Sequence, residues 1–169
     1  MVFNVYPSKY GHSIYKTLNY YSMYIITVKH FHTIVQHCLD YLPYEAGGFL
    51  GGRENVILGI FPLNNFAGFE GKEKFEVASY MSSSVYEYFR KNKMQVIGFY
   101  HSHPDRDLPI PSKQDVLASL VTPGVKLNMI VSINDLLDVN TALFETVGGK
   151  PIKQTIKVVR DGAIDQYLI

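Results

Sequence analysis

Two hydrophobic periods alternate along this chain. Met23 opens a β-rich run, Y-I-I-T-V. From Lys29 to Leu42 the apolar residues Phe31, Ile34, Val35, Cys38, Leu39 and Leu42 recur at helical spacing. That stripe predicts an amphipathic helix, and Pro43 stops it. G-G-F-L-G-G (47–52) and V-I-L-G-I-F-P-L (56–63) predict two strands paired around a glycine-rich turn near Arg53–Asn55. Residues 64–74 are polar and glycine-bearing, and read as a loop. One of Ser82, Ser83 or Ser84 is expected to cap a helix carrying Val85, Tyr88 and Phe89. Q-V-I-G-F-Y (95–100) is a short strand that delivers the chain to His101. Ser112 then starts a helix with Val116, Leu117 and Leu120, ended by Pro123-Gly124. L-N-M-I-V-S-I (127–133) predicts a buried strand, and 141–147 and 152–159 predict two strands joined by a G-G-K-P turn. The pattern is α/β, with a mixed sheet and few helices. Residues 1–22 stand apart: Tyr6, Tyr10, Tyr15, Tyr20 and Tyr21 follow no period. They are expected to be an N-terminal extension, or an arm packing on the domain or a partner, ahead of a domain at 23–169.

Composition narrows the class. The 169 residues suit one domain with a single core. A formal net charge of +1 gives no ground for a nucleic-acid or membrane-surface partner. No stretch approaches the ~20 apolar residues of a membrane span. The first residues lack the charged and apolar regions of a signal peptide. Cys38 is the single cysteine, so no intramolecular disulfide forms, which suits a reducing compartment. The expectation is a cytoplasmic protein.

The chemistry gathers in one stretch, H-S-H-P-D-R-D-L-P-I-P-S-K-Q-D, from His101 to Asp115. His101 and His103 are spaced i, i+2, so on extended backbone both imidazoles point the same way. Asp115 follows twelve residues after His103, in the first turn of a helix. Two histidines and a carboxylate make three zinc ligands and leave a fourth position for water, the catalytic arrangement. Ser112 stands at the mouth of that helix, where its hydroxyl and the free N–H groups suit developing negative charge.

H-S-H-P followed by P-S-K-Q-D resembles the JAMM (JAB/MPN+) metalloprotease family, whose motif is a distant Glu, then H-x-H, then S-x-x-D. L-P-Y-E-A-G-G-F-L-G-G, with Glu45, resembles the family's P-x-E-x-x-G-x-L-x-G segment, and the likeness covers roughly residues 23–160. The resemblance implies a cytidine-deaminase-like three-layer fold, a curved mixed β-sheet packed between helices. It implies one Zn2+ per chain on His101, His103 and Asp115, Glu45 as general base, and Ser112 as oxyanion donor. It further implies hydrolysis of an amide bond after the Gly-Gly tail of a ubiquitin-like or sulfur-carrier protein, by deconjugation or precursor processing, and is compatible with a homodimer. The segment 52–75 has no long insertion of the kind eukaryotic deubiquitinases of the family carry, so the chain looks like the compact prokaryotic members. Two departures stand out. Eight residues, Pro104 to Pro111, separate the second His from the Ser where the family usually has seven. Gly47 stands where many bacterial members have Cys.

Each feature also has a plainer reading. S-x-x-D is a helix capping signature, and Glu45 alone is a surface acid beside a proline. The weight comes from five residues in order. His30, His32 and His37 share no helix face and read as packing or polar-face residues. Cys38 lies on the apolar stripe and reads as core. Glu70, Glu73 and Glu76 with Lys72 and Lys74 read as a solvated loop or, second, a substrate rim. A catalytically silent MPN-type scaffold or dimerisation module is the alternative function, opposed by the intact ligand set. A deaminase needs H-x-E and P-C-x-x-C, and neither is present.

Overall fold

A computed structural model of the chain describes residues 3–6, 14–17, 22–72, 74–76, 79–122 and 124–168. Strands β1 (Phe3–Tyr6) and β2 (Ile14–Thr17) pair antiparallel as a separate two-stranded ribbon. The rest of residues 1–21 lies outside the described residues, and so does the packing of the tyrosine-rich arm. Among the described residues no helix is long and apolar enough to cross a membrane.

The main sheet is built from β3 (Met23–Thr27), β4 (Gly47–Arg53), β5 (Val56–Leu63), β6 (Gln95–Pro104), β7 (Leu127–Ile133), β8 (Val139–Val147) and β9 (Lys150–Val159). Among the described residues three α-helices accompany it: α1 (Val28–Asp40), α2 (Ser79–Lys91) and α3 (Lys113–Val121). The strands run in the order β3-β5-β4-β6-β7-β8-β9 and the sheet closes, because β3 pairs parallel with both β5 and β9. The remaining parallel pair is β6 with β7, and the other neighbours are antiparallel. The fold is therefore mixed α/β, as expected. The expected curved sheet differs in one respect: it is a closed ring.

The α1 stripe does what its period predicts. Ile34 and Cys38 are fully buried, and pack with Tyr24, Ile26, Leu50, Ile57, Tyr100, Leu127, Met129 and Leu143 from six strands. Thr27 caps the helix, its side chain accepting from the His30 N–H at 3.2 Å. His37 has the expected packing role: it hydrogen-bonds the Tyr100 hydroxyl at 3.0 Å and meets the Tyr41 ring edge-on. On the opposite face of the sheet, Val85 and Phe89 of α2 pack with Phe49, Leu63 and Val96. Alternation along β6 puts Tyr100 and Ser102 toward α1, and Phe99, His101 and His103 toward the face that α2 and α3 cover.

One local expectation is corrected. α2 begins at Ser79, so Ser83 and Ser84 are exposed residues inside the helix rather than caps, and the Ser82 side chain lies outside the described residues. The core contacts of Val85 and Phe89 outweigh the weak helix preference of exposed serines. The glycines of 47–52 run in strand and pair with 56–63 around a turn, as expected. They lie in β4, and the turn is Glu54-Asn55, with Glu54 at a φ of 50°. Close approach explains them: a Cβ at Gly51 would lie 2.2 Å from the Phe89 ring. The predicted helix stop at Gly124 holds a left-handed φ of 75°, and Pro123 lies outside the described residues.

Candidate metal centre

β6 runs four residues beyond the Q-V-I-G-F-Y signal and carries both histidines in regular strand. His101 and His103 are therefore held on one face by the ladder with β7, where they register against Ile130 and Ser132. Both are buried, at 5% and 3% exposure. Their Nε2 atoms stand 3.0 Å apart.

Asp115 reaches the same point from α3. Ser112 is the N-cap, and its Oγ accepts from the Asp115 N–H at 3.2 Å. The Ser112 N–H donates back to Asp115 Oδ2 at 2.6 Å. The capping-box reading and the ligand reading of S-x-x-D thus hold together: the box fixes the rotamer that aims the carboxylate at the histidines. Asp115 Oδ1 lies 3.1 Å from His101 Nε2, and Oδ2 lies 3.5 Å from His103 Nε2. Ligand atoms around a tetrahedral zinc, with bonds of ~2.0–2.1 Å, stand roughly 3.3–3.4 Å apart. The three side chains match that spacing and could hold a metal ion.

The electrostatics agree. Burial works to raise the Asp115 pKa, but hydrogen bonds from the two imidazoles and the Ser112 N–H outweigh it and hold the carboxyl well below the usual range. Burial lowers the pKa of His103, against the raising effect of Asp115. The ring is thereby kept neutral, the form that ligates metals. His103 Nδ1 is buried without a hydrogen-bond partner among the described residues.

Glu45 precedes β4. The antiparallel register sets Gly47 against His101, and the Ser102 N–H donates to the Ala46 carbonyl, which holds the segment carrying Glu45 beside the histidine strand. Glu45 is 6% exposed and lines one cleft of about 490 Å³ with His101, His103, Ser112 and Asp115. All five sequence-predicted residues thus meet. The extra loop residue does not disturb them. Asp105 takes a φ of 57° at the strand end. The Asp107 carbonyl then accepts from Ser132 Oγ at 3.2 Å and Asn140 Nδ2 at 3.1 Å. The longer loop is tied back onto β7 and β8, leaving the Ser112 cap in place.

The chain belongs to the family of prokaryotic homologues of the JAB domain. That family matches residues 27–134, from the α1 cap to the end of β7. Solved structures share the JAB-domain fold. Protein DSY2949 of Desulfitobacterium hafniense superposes with a TM-score of 0.69 at 23% identity, over 83% of this chain and 94% of that one. AF2198 of Archaeoglobus fulgidus, a JAB1/MPN domain protein, gives 0.51 at 23% identity, over 80% and 98%. A protein of Salinibacter ruber gives 0.55 at 19%, over 83% and 93%. No curated protein matches the chain.

The sequence reading missed Asn65. Its Nδ2 donates to the carbonyls of Glu45 (2.9 Å), Lys74 (2.8 Å) and Gly71 (3.2 Å). Its Oδ1 accepts from the N–H of Ala67 at 3.0 Å and Glu76 at 3.2 Å. One side chain thus folds the 64–76 loop of this JAB domain against Glu45. The single available signal was the Asn64-Asn65 pair just after a strand, where such side chains bond local backbone. The charged-loop reading holds in part: Lys74 pairs with Glu70 and Glu76, yet also lines the cleft. Glu73 lies outside the described residues.

Proposed function

We propose that this JAB domain is a zinc-dependent peptidase or isopeptidase acting on an amide bond after the C-terminal tail of a ubiquitin-like or sulfur-carrier protein. The observation that carries it is the convergence of His101, His103 and Asp115 in one cleft with Glu45 and Ser112. The order of layers, with α1 on one face of the sheet and α2 and α3 on the other, supports the cytidine-deaminase-like class.

His101, His103 and Asp115 would hold zinc on three protein ligands, and the ion would supply Lewis acidity that lowers the pKa of a water at the open position toward ~7. Glu45, on the histidine side of the cleft, takes the proton from the attacking water and delivers it to the departing amine. The Ser112 oxygen accepts from the Asp115 N–H, which leaves its own hydrogen to donate to the developing oxyanion. Asp115, held ionised, supplies the anionic ligand. A silent scaffold has no use for a buried ligand set with an acid held beside it.

The test is zinc per chain by elemental analysis, on protein purified without chelator, followed by incubation with ubiquitin-like proteins carrying extended Gly-Gly tails. About one zinc and release of the extension are expected. A chain that takes up no zinc even when supplied with it moves the scaffold reading ahead.

A further inference from the structure

Gly47 registers against His101 at the edge of the metal centre, and its missing side chain is used. A Cβ there would lie 2.8–2.9 Å from three carbons of the Phe75 ring. Any other residue at 47 would push that ring away. Phe75 comes from the loop that Asn65 ties down through the Lys74 carbonyl. The ring is half-buried and lines the cleft.

Two residues along the same strands stand Phe49 and Phe99, registered against each other and packed edge-on at 6.3 Å and 89°. Two residues of strand span roughly 7 Å. The cleft therefore continues from His101 into a chamber walled by Phe49, Phe75 and Phe99, with Ala118 and Thr122 opposite. Polar chemistry stands at one end and aromatic surface at the other, the layout of a reaction centre beside a side-chain pocket.

We propose that the Phe49–Phe75–Phe99 chamber is the specificity pocket for the residue on the leaving side of the scissile amide, and that it selects a large apolar side chain. The inference rests on the peptidase reading above. A Gly-Gly tail carries no side chain, so on that reading the group that fills the chamber arrives with the leaving residue. A lysine isopeptide offers only an unbranched methylene stem on that side, so the chamber favours processing of a C-terminal extension over deconjugation. Gly47 and Phe75 are specificity-determining as a pair: the glycine makes the space and the ring forms the wall.

The experiment uses the full chain loaded with zinc and two kinds of probe. Phenylalaninamide and glycinamide, which stand for the leaving residue, are titrated and followed by NMR. Ac-Gly-Gly-Phe-NH2 and Ac-Gly-Gly-Gly-NH2 are assayed for cleavage. Burial of a benzyl side chain is expected to favour phenylalaninamide by about tenfold or more, with the same preference in kcat/KM. Phe75→Ala removes the wall and Gly47→Ala displaces it, and each is expected to erase most of the preference while zinc content stays at wild-type level. Equal binding of the two amides, or a preference unchanged in both variants, overturns the pocket. Preferential binding of phenylalaninamide without cleavage of either peptide keeps the chamber as an apolar site and overturns the peptidase reading instead.

Discussion

Ser102 and Ala46 exchange two hydrogen bonds. The Ser102 N–H donates to the Ala46 carbonyl at 2.8 Å, and the Ala46 N–H donates to Ser102 Oγ at 2.8 Å. Ser102 is fully buried, between the two histidines, and Ala46 follows Glu45. The exchange locks the histidine strand to the segment that presents the acid. Ser102→Ala would leave the Ala46 N–H unpaired, at a cost of about 1–3 kcal/mol. The expected outcome is a lower denaturant midpoint, normal zinc content and a reduced kcat. Unchanged kcat together with reduced stability would show that Ser102 only holds the fold.

Glu45 and His103 separate chemistry from metal binding. Glu45→Gln keeps the volume and removes the base, so zinc content should persist while cleavage falls by at least about a hundredfold. His103→Ala removes a ligand, so zinc itself should be lost. Elemental analysis beside a peptide assay reads both. A Glu45→Gln protein as active as wild type removes the general-base role, and full zinc in His103→Ala removes the ligand role.

Gly51 is a packing requirement. Its Cβ position lies 2.2 Å from two carbons of the buried Phe89 ring. Gly51→Ala forces α2 away from β4 and should destabilise the domain by about 1–3 kcal/mol, read as a shifted denaturant midpoint. Wild-type stability in that variant would mean that α2 moves freely at this contact.

Burial pushes the Cys38 thiol up to about 12, although a hydrogen bond with Ser102 opposes the rise. Burial also raises Tyr24 and Tyr100 well above the usual phenol range. These groups are neutral when folded and lose protons more readily when unfolded. Their contribution is complete below the unfolded values and is lost as pH rises through the folded ones. Stability should therefore fall from about pH 9 upward, and iodoacetamide at pH 8 should label Cys38 only after unfolding. Rapid labelling of the native chain at pH 8 would contradict the buried thiol.

The local periods carried much of the fold. The α1 stripe, the buried run of β7 and the β8–β9 pair follow from spacings of 3.6 and 2, which nearby residues set. The metal ligands were legible for the same reason. Two histidines at i, i+2 need only extended backbone to face one point, and an acid three residues after a capping serine needs only the first turn of a helix. Tertiary structure decided what joins distant segments. Closure of the sheet depends on Met23–Thr27 meeting Thr155–Val159, and no period encodes a contact across that distance. The β4 strand was legible, but the reason for its glycines, the approach of Phe89 and Phe75, lies elsewhere in the chain. α2 began before Ser82–Ser84 because packing outweighed capping. Asn65 and the aromatic chamber were invisible because a residue's reach across the fold is fixed by the backbone around it, after the chain has folded.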